Sequence, residues 1–181
     1  LGEEYMAFPP NLVFSYSNVG YTLLGHAVQR ITGEPYARYM DRAIFAPLGM
    51  TRTAVGLPPD LEPRLAQGYR EGRAVRRLPV RDLPALGLHT TAADLALFMR
   101  ALLGGEPRVI ADRAWRTMLE PQNRGVALDL HIMVGLGWFL ETATIPGGGL
   151  VVRHGGTATA SSSELIVLTE RRLGVAVLAN S

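Results

Sequence analysis

The 181-residue sequence contains no cysteine, no lysine and no long apolar run. Without cysteine it can have no disulfide framework, no thiolate nucleophile and no thiolate metal ligand. Without lysine, every basic side chain other than histidine is an arginine, so no Ser-x-x-Lys motif occurs anywhere in the chain. No run approaches the roughly 20 apolar residues that a bilayer-spanning helix needs, so we expect no membrane span.

The composition predicts a globular protein rather than a polyanion-binding one. Apolar residues make up 48% and charged residues 19% of the chain, and the formal net charge is only +2. The densest group of arginines, between residues 70 and 81, lies in a segment interrupted by glycine and proline. We therefore expect no nucleic-acid partner. Asp129 and His131 could share a strand face, but with no third ligand nearby we predict no metal site and no cofactor.

Helical periodicity dominates the first two thirds of the chain. A helix is predicted from Ser17 to a cap at Gly33, and a second from Glu34-Pro35 that should stop before Pro47. The most regular pattern follows a capping-box-like Thr91 and ends before Gly104. A shorter helix is expected at about 111–119, whereas the segment 51–88 is predicted to be mostly irregular.

Strand patterns dominate after Gly125. Four strands are predicted, at 135–144, 150–155, 162–169 and 173–179, with short connections that imply antiparallel neighbours. The expected fold class is therefore α+β, with helices packed on an antiparallel sheet.

Two short motifs carry the candidate chemistry, and each also has an ordinary explanation. In Tyr16-Ser17-Asn18, the serine or asparagine could simply cap the following helix. In His154-Gly155-Gly156, a histidine before two glycines at a strand end is usually a turn. Neither motif is decisive by itself.

Five segments of the chain, spread over almost its whole length, match segments of a known protein family in the same order. This agreement makes a chance match improbable. The chain resembles the serine-hydrolase family of class C β-lactamases, DD-peptidases and family VIII esterases. The resemblance lies in the sequences around Tyr16-Ser17-Asn18, Pro47-Leu48-Gly49-Met50, Gly87-Leu88-His89-Thr90-Thr91-Ala92-Ala93-Asp94, Gly135-Leu136-Gly137-Trp138 and His154-Gly155-Gly156.

The resemblance implies roles for six residues. Tyr16 would be the general base or acid beside the nucleophile, Asn18 would offer its amide to the substrate carbonyl, and His154 would stand where lactamases commonly carry Lys-Thr-Gly. Gly155 and Gly156 would let substrate lie against the strand, and the Thr157 N–H would be an oxyanion donor. Histidine in place of lysine departs from the lactamase form and fits peptidases or esterases at least as well.

The resemblance also implies an incomplete β-lactamase/transpeptidase-like domain over residues 1–181, helical to about 124 and stranded beyond. The Ser-x-x-Lys segment would lie upstream, so we expect a serine-hydrolase fragment that is inactive alone, its parent acting on an ester, amide or β-lactam of a small molecule or peptide. The missing N-terminal segment or another chain should cover an exposed sheet edge. The alternative is a non-catalytic ligand- or protein-binding domain of the same fold.

Overall fold

The computed structural model describes residues 7–129, 131–142 and 145–181. Helices come first and a five-stranded antiparallel sheet comes last, in the order predicted from the sequence. The helices are α1 (Asn18–Thr32), α2 (Tyr36–Met40), α3 (Ala46–Leu48), α4 (Leu83–Leu86), α5 (Ala92–Leu102) and α6 (Asp112–Met118). The large sheet consists of β5 (Met133–Val134), β6 (Phe139–Thr142), β7 (Leu150–Ala158), β8 (Ser161–Leu168) and β9 (Leu173–Ala179). Two short pairs precede it, β1 (Ala54–Val55) with β4 (Leu88–His89) and β2 (Tyr69–Arg70) with β3 (Arg73–Ala74).

Helix α1 begins and ends as its sequence predicts. The Ser17 side chain accepts a hydrogen bond from the Gly20 N–H at 3.0 Å, and Gly33 closes the helix in the left-handed conformation. Its apolar residues, however, are largely uncovered: Ile31 is 84% exposed and Leu24 59% exposed. Gly25 is the one buried residue of α1, and it faces Pro84 of α4.

The prediction that the second helix stops before Pro47 is wrong. Helix α2 continues through a π-helical turn, Asp41–Phe45, into α3, which includes Pro47. Proline has no N–H to donate to the helical ladder. The π-helical turn accommodates the proline. The Ala46 N–H donates to the Asp41 carbonyl, five residues earlier, rather than to that of Arg42, and the chain remains helical to Leu48.

The segment 51–88 is mostly irregular, as expected, with a single 3₁₀ turn at Glu62–Arg64 and short paired strands. Helix α5 matches its prediction and is capped by the Thr91 hydroxyl, which accepts from the Asp94 N–H at 3.2 Å. Met99 and Leu102 of α5 pack on the sheet against Trp138, Leu140, Val152 and Val167. This cluster is the main core, and it fixes α5 across the sheet.

The meander β7–β8–β9 agrees closely with the strand predictions. The first predicted strand is shorter than expected: Gly135–Trp138 forms a turn with Gly137 at a positive φ, and β6 starts only at Phe139. Residues 143 and 144, also included in that prediction, lie outside the described residues. An additional strand, β5, pairs with β6.

One face of the sheet packs against α5, and the other is partly bare. On β9, the alternate residues Leu173, Val175 and Val177 point away from α5 and are each more than half exposed. In the strand order β5-β6-β7-β8-β9, β9 is the last strand, and no described strand pairs with its outer edge. The sheet therefore presents both an open edge and an apolar face.

Candidate active site

Tyr16 is held between a backbone bridge and the cap of α1. The Phe14 N–H donates to the Leu128 carbonyl at 3.1 Å, and the Leu128 N–H donates back to Leu12 at 2.9 Å. Three residues after Phe14, Ser17 caps α1. The backbone on both sides of Tyr16 is thus anchored, while its side chain remains 54% exposed.

His154 lies on β7 at the point where one neighbouring strand ends. β6 pairs with β7 only from Leu150 to Arg153, whereas β8 pairs with β7 as far as Ala158. From His154 onward, no described strand covers the side of β7 that faced β6. A strand edge with free backbone groups is a surface on which an extended substrate can be hydrogen-bonded.

The structure brings Tyr16 and His154 together although 138 positions separate them in sequence. Their ring centroids are 6.1 Å apart and tilted by 44°. Phe139 contacts both rings, stacking on Tyr16 at 6.5 Å and meeting His154 at 5.7 Å. Phe14 meets Phe139 edge-on at 6.3 Å. The phenol and the imidazole therefore share one aromatic cluster beside the open edge of β7.

One nitrogen of His154 is already occupied. Nδ1 lies 2.7 Å from the Gly155 carbonyl oxygen, which can only accept, so Nδ1 carries the proton in this contact. In the neutral ring Nε2 is then the unprotonated nitrogen, available as a base or, when protonated, as a cationic donor. The imidazole is thus oriented by its own strand.

Tyr21 of α1 is a site neighbour that the sequence motifs did not indicate. Its hydroxyl lies near Gly137, so that a Cβ on Gly137 would be 3.6 Å from it. Burial raises the pKa of Tyr21, and the nearby Tyr16 raises it further, against a lowering by the backbone hydrogen bond from Gly137. Tyr21 therefore stays protonated beside Tyr16.

Gly155, Gly156 and Thr157 continue β7 past His154, opposite Glu164, Ser163 and Ser162 of β8. At Gly155 a Cβ would lie 2.4 Å from the Glu164 carboxylate, which itself approaches Arg153 at 3.5 Å. Arg153 is further bound by Glu141 and lies over the Phe139 ring at 5.7 Å. A side chain at position 155 would therefore displace the Glu164 carboxylate from its place beside Arg153.

Asn18 is the first residue of α1 and is half-buried. No hydrogen bond among the described residues joins its amide to Tyr16 or His154. Ser17, in contrast, has a defined structural role, because its hydroxyl oxygen accepts the Gly20 N–H. The ordinary explanation of Tyr-Ser-Asn therefore holds for the serine, while Tyr16 reaches the cluster with His154.

Two of the landmark segments meet at Asp94. This buried carboxylate accepts the Arg52 N–H at 2.8 Å and the Thr53 hydroxyl at 2.7 Å, and Thr53 also bonds to Thr90 at 2.7 Å. The Pro47-to-Thr53 segment is thereby fixed to the start of α5. These hydrogen bonds hold two segments of the fold together, and none of them involves Tyr16 or His154.

The described residues contain neither a metal-binding cluster nor a membrane-spanning helix. In the part of the chain that the structure describes, no three histidine, cysteine or carboxylate side chains gather where a metal ion could bind. Over the same residues, none of the helices is both long and apolar enough to cross a bilayer.

Comparison with known proteins agrees with this architecture. The Beta-lactamase family model matches residues 2–181. A beta-lactamase-like protein of Homo sapiens is 31% identical over 185 residues, covering 98% of this chain but 36% of the relative. A beta-lactamase of Yersinia enterocolitica is 26% identical, covering 81% of this chain and 38% of its own length.

Solved structures show the same fold. A beta-lactamase/D-alanine carboxypeptidase from Pseudomonas syringae superposes with a TM-score of 0.77 at 22% identity, over 92% of this chain and 54% of that one. Its counterpart from Yersinia pestis, complexed with citrate, gives 0.76 at 25% identity, over 96% and 51%.

The chain belongs to the beta-lactamase family, and its fold is β-lactamase/transpeptidase-like. It spans between one third and two fifths of these curated relatives and about half of these solved structures.

Proposed function

We propose that this chain is one incomplete domain of a serine hydrolase, and that it supplies two walls of an acyl-transfer site. The nucleophilic serine and its lysine would come from a segment outside these 181 residues. The complete protein would attack an ester, amide or β-lactam carbonyl, expel the leaving group from an acyl-enzyme and release the acid by hydrolysis.

The observation that carries this proposal is the meeting of Tyr16 and His154 beside an uncovered stretch of β7. Acyl transfer needs a proton acceptor near the nucleophile and donors aimed at the oxyanion. A phenol, an imidazole and a free strand edge are chemical groups of the required kinds. Their convergence from distant positions supports a site rather than two unrelated structural motifs.

Each predicted residue has a proposed role consistent with its position. Tyr16 would move the proton between the nucleophile and the leaving group, and Asn18 would donate its amide to the substrate. Nε2 of His154 would bind a substrate carboxylate or polar group, since Nδ1 is held by Gly155. Gly155 and Gly156 would face the substrate backbone, and the Thr157 N–H would donate to the oxyanion.

The chain alone would be inactive. It contains no lysine, and a tyrosine with an ordinary pKa near 10 needs nearby positive charge to act as a base at neutral pH. The nearest cation of the cluster, Arg153, is bound by Glu141 and Glu164. Loss of nucleophile and activating base together removes several orders of magnitude of rate.

Trapping the acyl-enzyme tests the proposal on the complete protein. The protein is mixed with labelled penicillin, with an activated ester and with a D-alanyl-D-alanine peptide, and covalent mass is followed by mass spectrometry. Tyr16→Phe should slow acylation about 10²- to 10⁴-fold, the usual contribution of a positioned general base or acid. Tyr39→Phe is the matched control, because Tyr39 contacts Arg42 away from the site. Equal acylation rates in both variants would refute the role of Tyr16.

The same experiment separates the alternative, a non-catalytic binding domain of this fold. Such a protein would bind one of the three compounds reversibly without gaining mass. The absence of lysine from this chain is compatible with that outcome. Saturable binding without an adduct, together with no Ser-x-x-Lys in the complete protein, would replace the enzyme proposal with the binding one.

We further propose that the segment outside this chain covers the outer edge of β9 and the apolar face of α1. Exposed apolar side chains occur on both: Leu24 and Ile31 on α1, and Leu173, Val175 and Val177 on β9. An open edge next to apolar surface is a site for strand addition and association. The curated relatives are roughly two to three times longer than this chain, so they have residues to place there.

A further inference from the structure

A cavity of about 270 Å³ lies away from the Tyr16–His154 cluster, at the C-terminal end of α5. Its walls are the end of α5, the loop from Leu103 to Ile110, helix α6 and the turn between β8 and β9. None of the six predicted site residues lines it. Since a cavity of about 150 Å³ can hold benzene, this space suits a ligand of about ten non-hydrogen atoms.

Most residues that line this cavity are apolar, and its polar lining residues are Arg108, Asp112, Thr169 and Arg172. Phe98 and Leu102 contribute from α5, Ile110 from the loop and Trp115 from α6. Trp115 is held edge-on against the buried Trp138 at 6.0 Å, which fixes this wall to the core. A preformed apolar wall of this kind favours a hydrocarbon or aromatic body in the ligand.

Two guanidinium groups converge at the mouth of the cavity over Gly104. A Cβ at Gly104 would lie 3.6 Å from Nη2 of Arg108 and 3.8 Å from Nη2 of Arg172. Gly104 has a φ of 87°, so a side chain there would be strained as well as in the way of the cations. A guanidinium charge here that no carboxylate balances would attract an anion.

Only one of these cations is already neutralised. Arg108 is paired with Asp112, four residues on, and lies 3.5 Å from Glu106. Arg172 donates Nε to the Leu103 carbonyl at 3.2 Å, and within the described ranges no carboxylate pairs with it. This hydrogen bond fixes the Arg172 side chain while leaving its Nη groups to bind a ligand.

We propose that this cavity binds a small monocarboxylate with an apolar body of about eight carbons, its carboxylate on Arg172 and its chain against Phe98, Ile110 and Trp115. A charge-assisted bond from a guanidinium gives the polar end its orientation. The site is distinct from the proposed acyl-transfer site, because none of Tyr16, Phe139 and His154 lines the cavity.

Calorimetric titration with sodium octanoate, below the concentration at which it forms micelles, tests the proposal. Octanol has the same chain without the charge, and acetate has the charge without the chain. Octanoate should bind at least about tenfold more tightly than either, the factor expected for a charged hydrogen bond worth more than about 1.4 kcal/mol. Nuclear Overhauser effects from the octanoate methyl group to the Trp115 indole identify the site.

Two arginine substitutions distinguish binding by the Arg172 guanidinium from a general effect of positive charge. Arg172→Gln should weaken octanoate binding about tenfold or more, whereas Arg171→Gln is the matched control, because Arg171 bonds to the Gly147 carbonyl instead. Ala101→Leu, which fills the cavity without altering charge, should weaken octanoate and octanol alike and provides a second variant if Arg172→Gln does not fold. Equal affinities for octanoate and octanol, equal effects of the two arginine variants, or no contact with Trp115 would each overturn the proposal.

Discussion

At the residue scale, Tyr16 and His154 could be singled out because each lies in a motif that is visible in the sequence. The residues that surround the pair belong to no such motif. Phe139 contacts both rings only because β6 begins there and pairs with Arg153 of β7. The register of two strands is not visible in either segment alone. Tyr21 was missed for a similar reason, since helical spacing predicts an apolar face without saying which residue meets Gly137.

Asp94 is the residue whose loss should cost most stability outside the hydrophobic core. Asp94→Asn weakens the bonds from the Arg52 N–H and the Thr53 hydroxyl in a buried place, and we expect unfolding to become easier by about 1.5–3 kcal/mol. Urea unfolding measures the change. Asp112→Asn is the control, because its pair with Arg108 is exposed and should change stability by less than about 1 kcal/mol. Equal effects would contradict the assigned role of Asp94.

The lowered pKa of His89 leads us to expect that the stability of the fold depends on pH. Burial, reinforced by the charge of Arg77, lowers the pKa of His89 below its ordinary 6.5. The unfolded chain therefore binds this proton at a higher pH than the folded chain. The stabilising effect is complete above about pH 6.5 and is lost progressively as the pH falls below it.

Comparing wild type with His89→Gln at pH 7.5 and pH 5.5 isolates this contribution. The wild type should lose more stability than the variant between the two values, as measured by the urea midpoint. His26→Gln, at an exposed position of α1, should follow the wild type. An unchanged difference between wild type and His89→Gln at both pH values would contradict the cause given.

At the element scale, strong local signals predicted the helices and the β7–β9 meander, and local chemistry explains the exceptions. Ser17, Gly33 and Thr91 occupy caps that their residue types predict. The helix through Pro47 was not predictable from proline rules, because a π turn before it depends on packing of Phe45 and Leu48 in a core of their own. The turn at Gly135–Trp138 likewise depends on a tertiary bond, from the Leu136 N–H to Met118.

Ser17 gives the clearest element-scale prediction. Ser17→Ala removes the cap of α1 and should lower stability by about 1 kcal/mol, while covalent labelling of the complete protein by a fluorophosphonate should persist. Ser161→Ala, on an exposed strand start, should change neither property. Loss of labelling in a folded Ser17→Ala protein would show that Ser17 is the nucleophile and would overturn the capping interpretation.

At the scale of the whole molecule, the distribution of exposed apolar surface is the feature that the sequence resemblance anticipated. The main core lies between α5 and one face of the sheet, while α1 and β9 leave apolar side chains in solvent. Fold class could be predicted because the landmarks occur in order along the chain. Substrate could not, because in our proposal the residues that complete the walls around Tyr16 lie outside these 181.

The open face of β9 predicts the behaviour of the isolated chain. It should self-associate in sedimentation experiments, and Val175→Lys with Val177→Lys should reduce this association by placing charge on the apolar face. In the complete protein the same double substitution should lower stability, because the face would be covered there. Thr51→Lys with Ala74→Lys, at exposed positions outside β9, is the control, because it adds the same charge. A monodisperse monomer from the unsubstituted chain would contradict the proposed cover.

The central claim is that this chain holds the tyrosine and histidine walls of a serine-hydrolase site whose nucleophile lies elsewhere in the protein. Fluorophosphonate labelling followed by peptide mapping tests it most directly, with the isolated chain and the complete protein treated side by side. The account predicts no adduct on the isolated chain and one adduct on the complete protein, at a serine outside residues 1–181. An adduct on any serine within the isolated chain would contradict it.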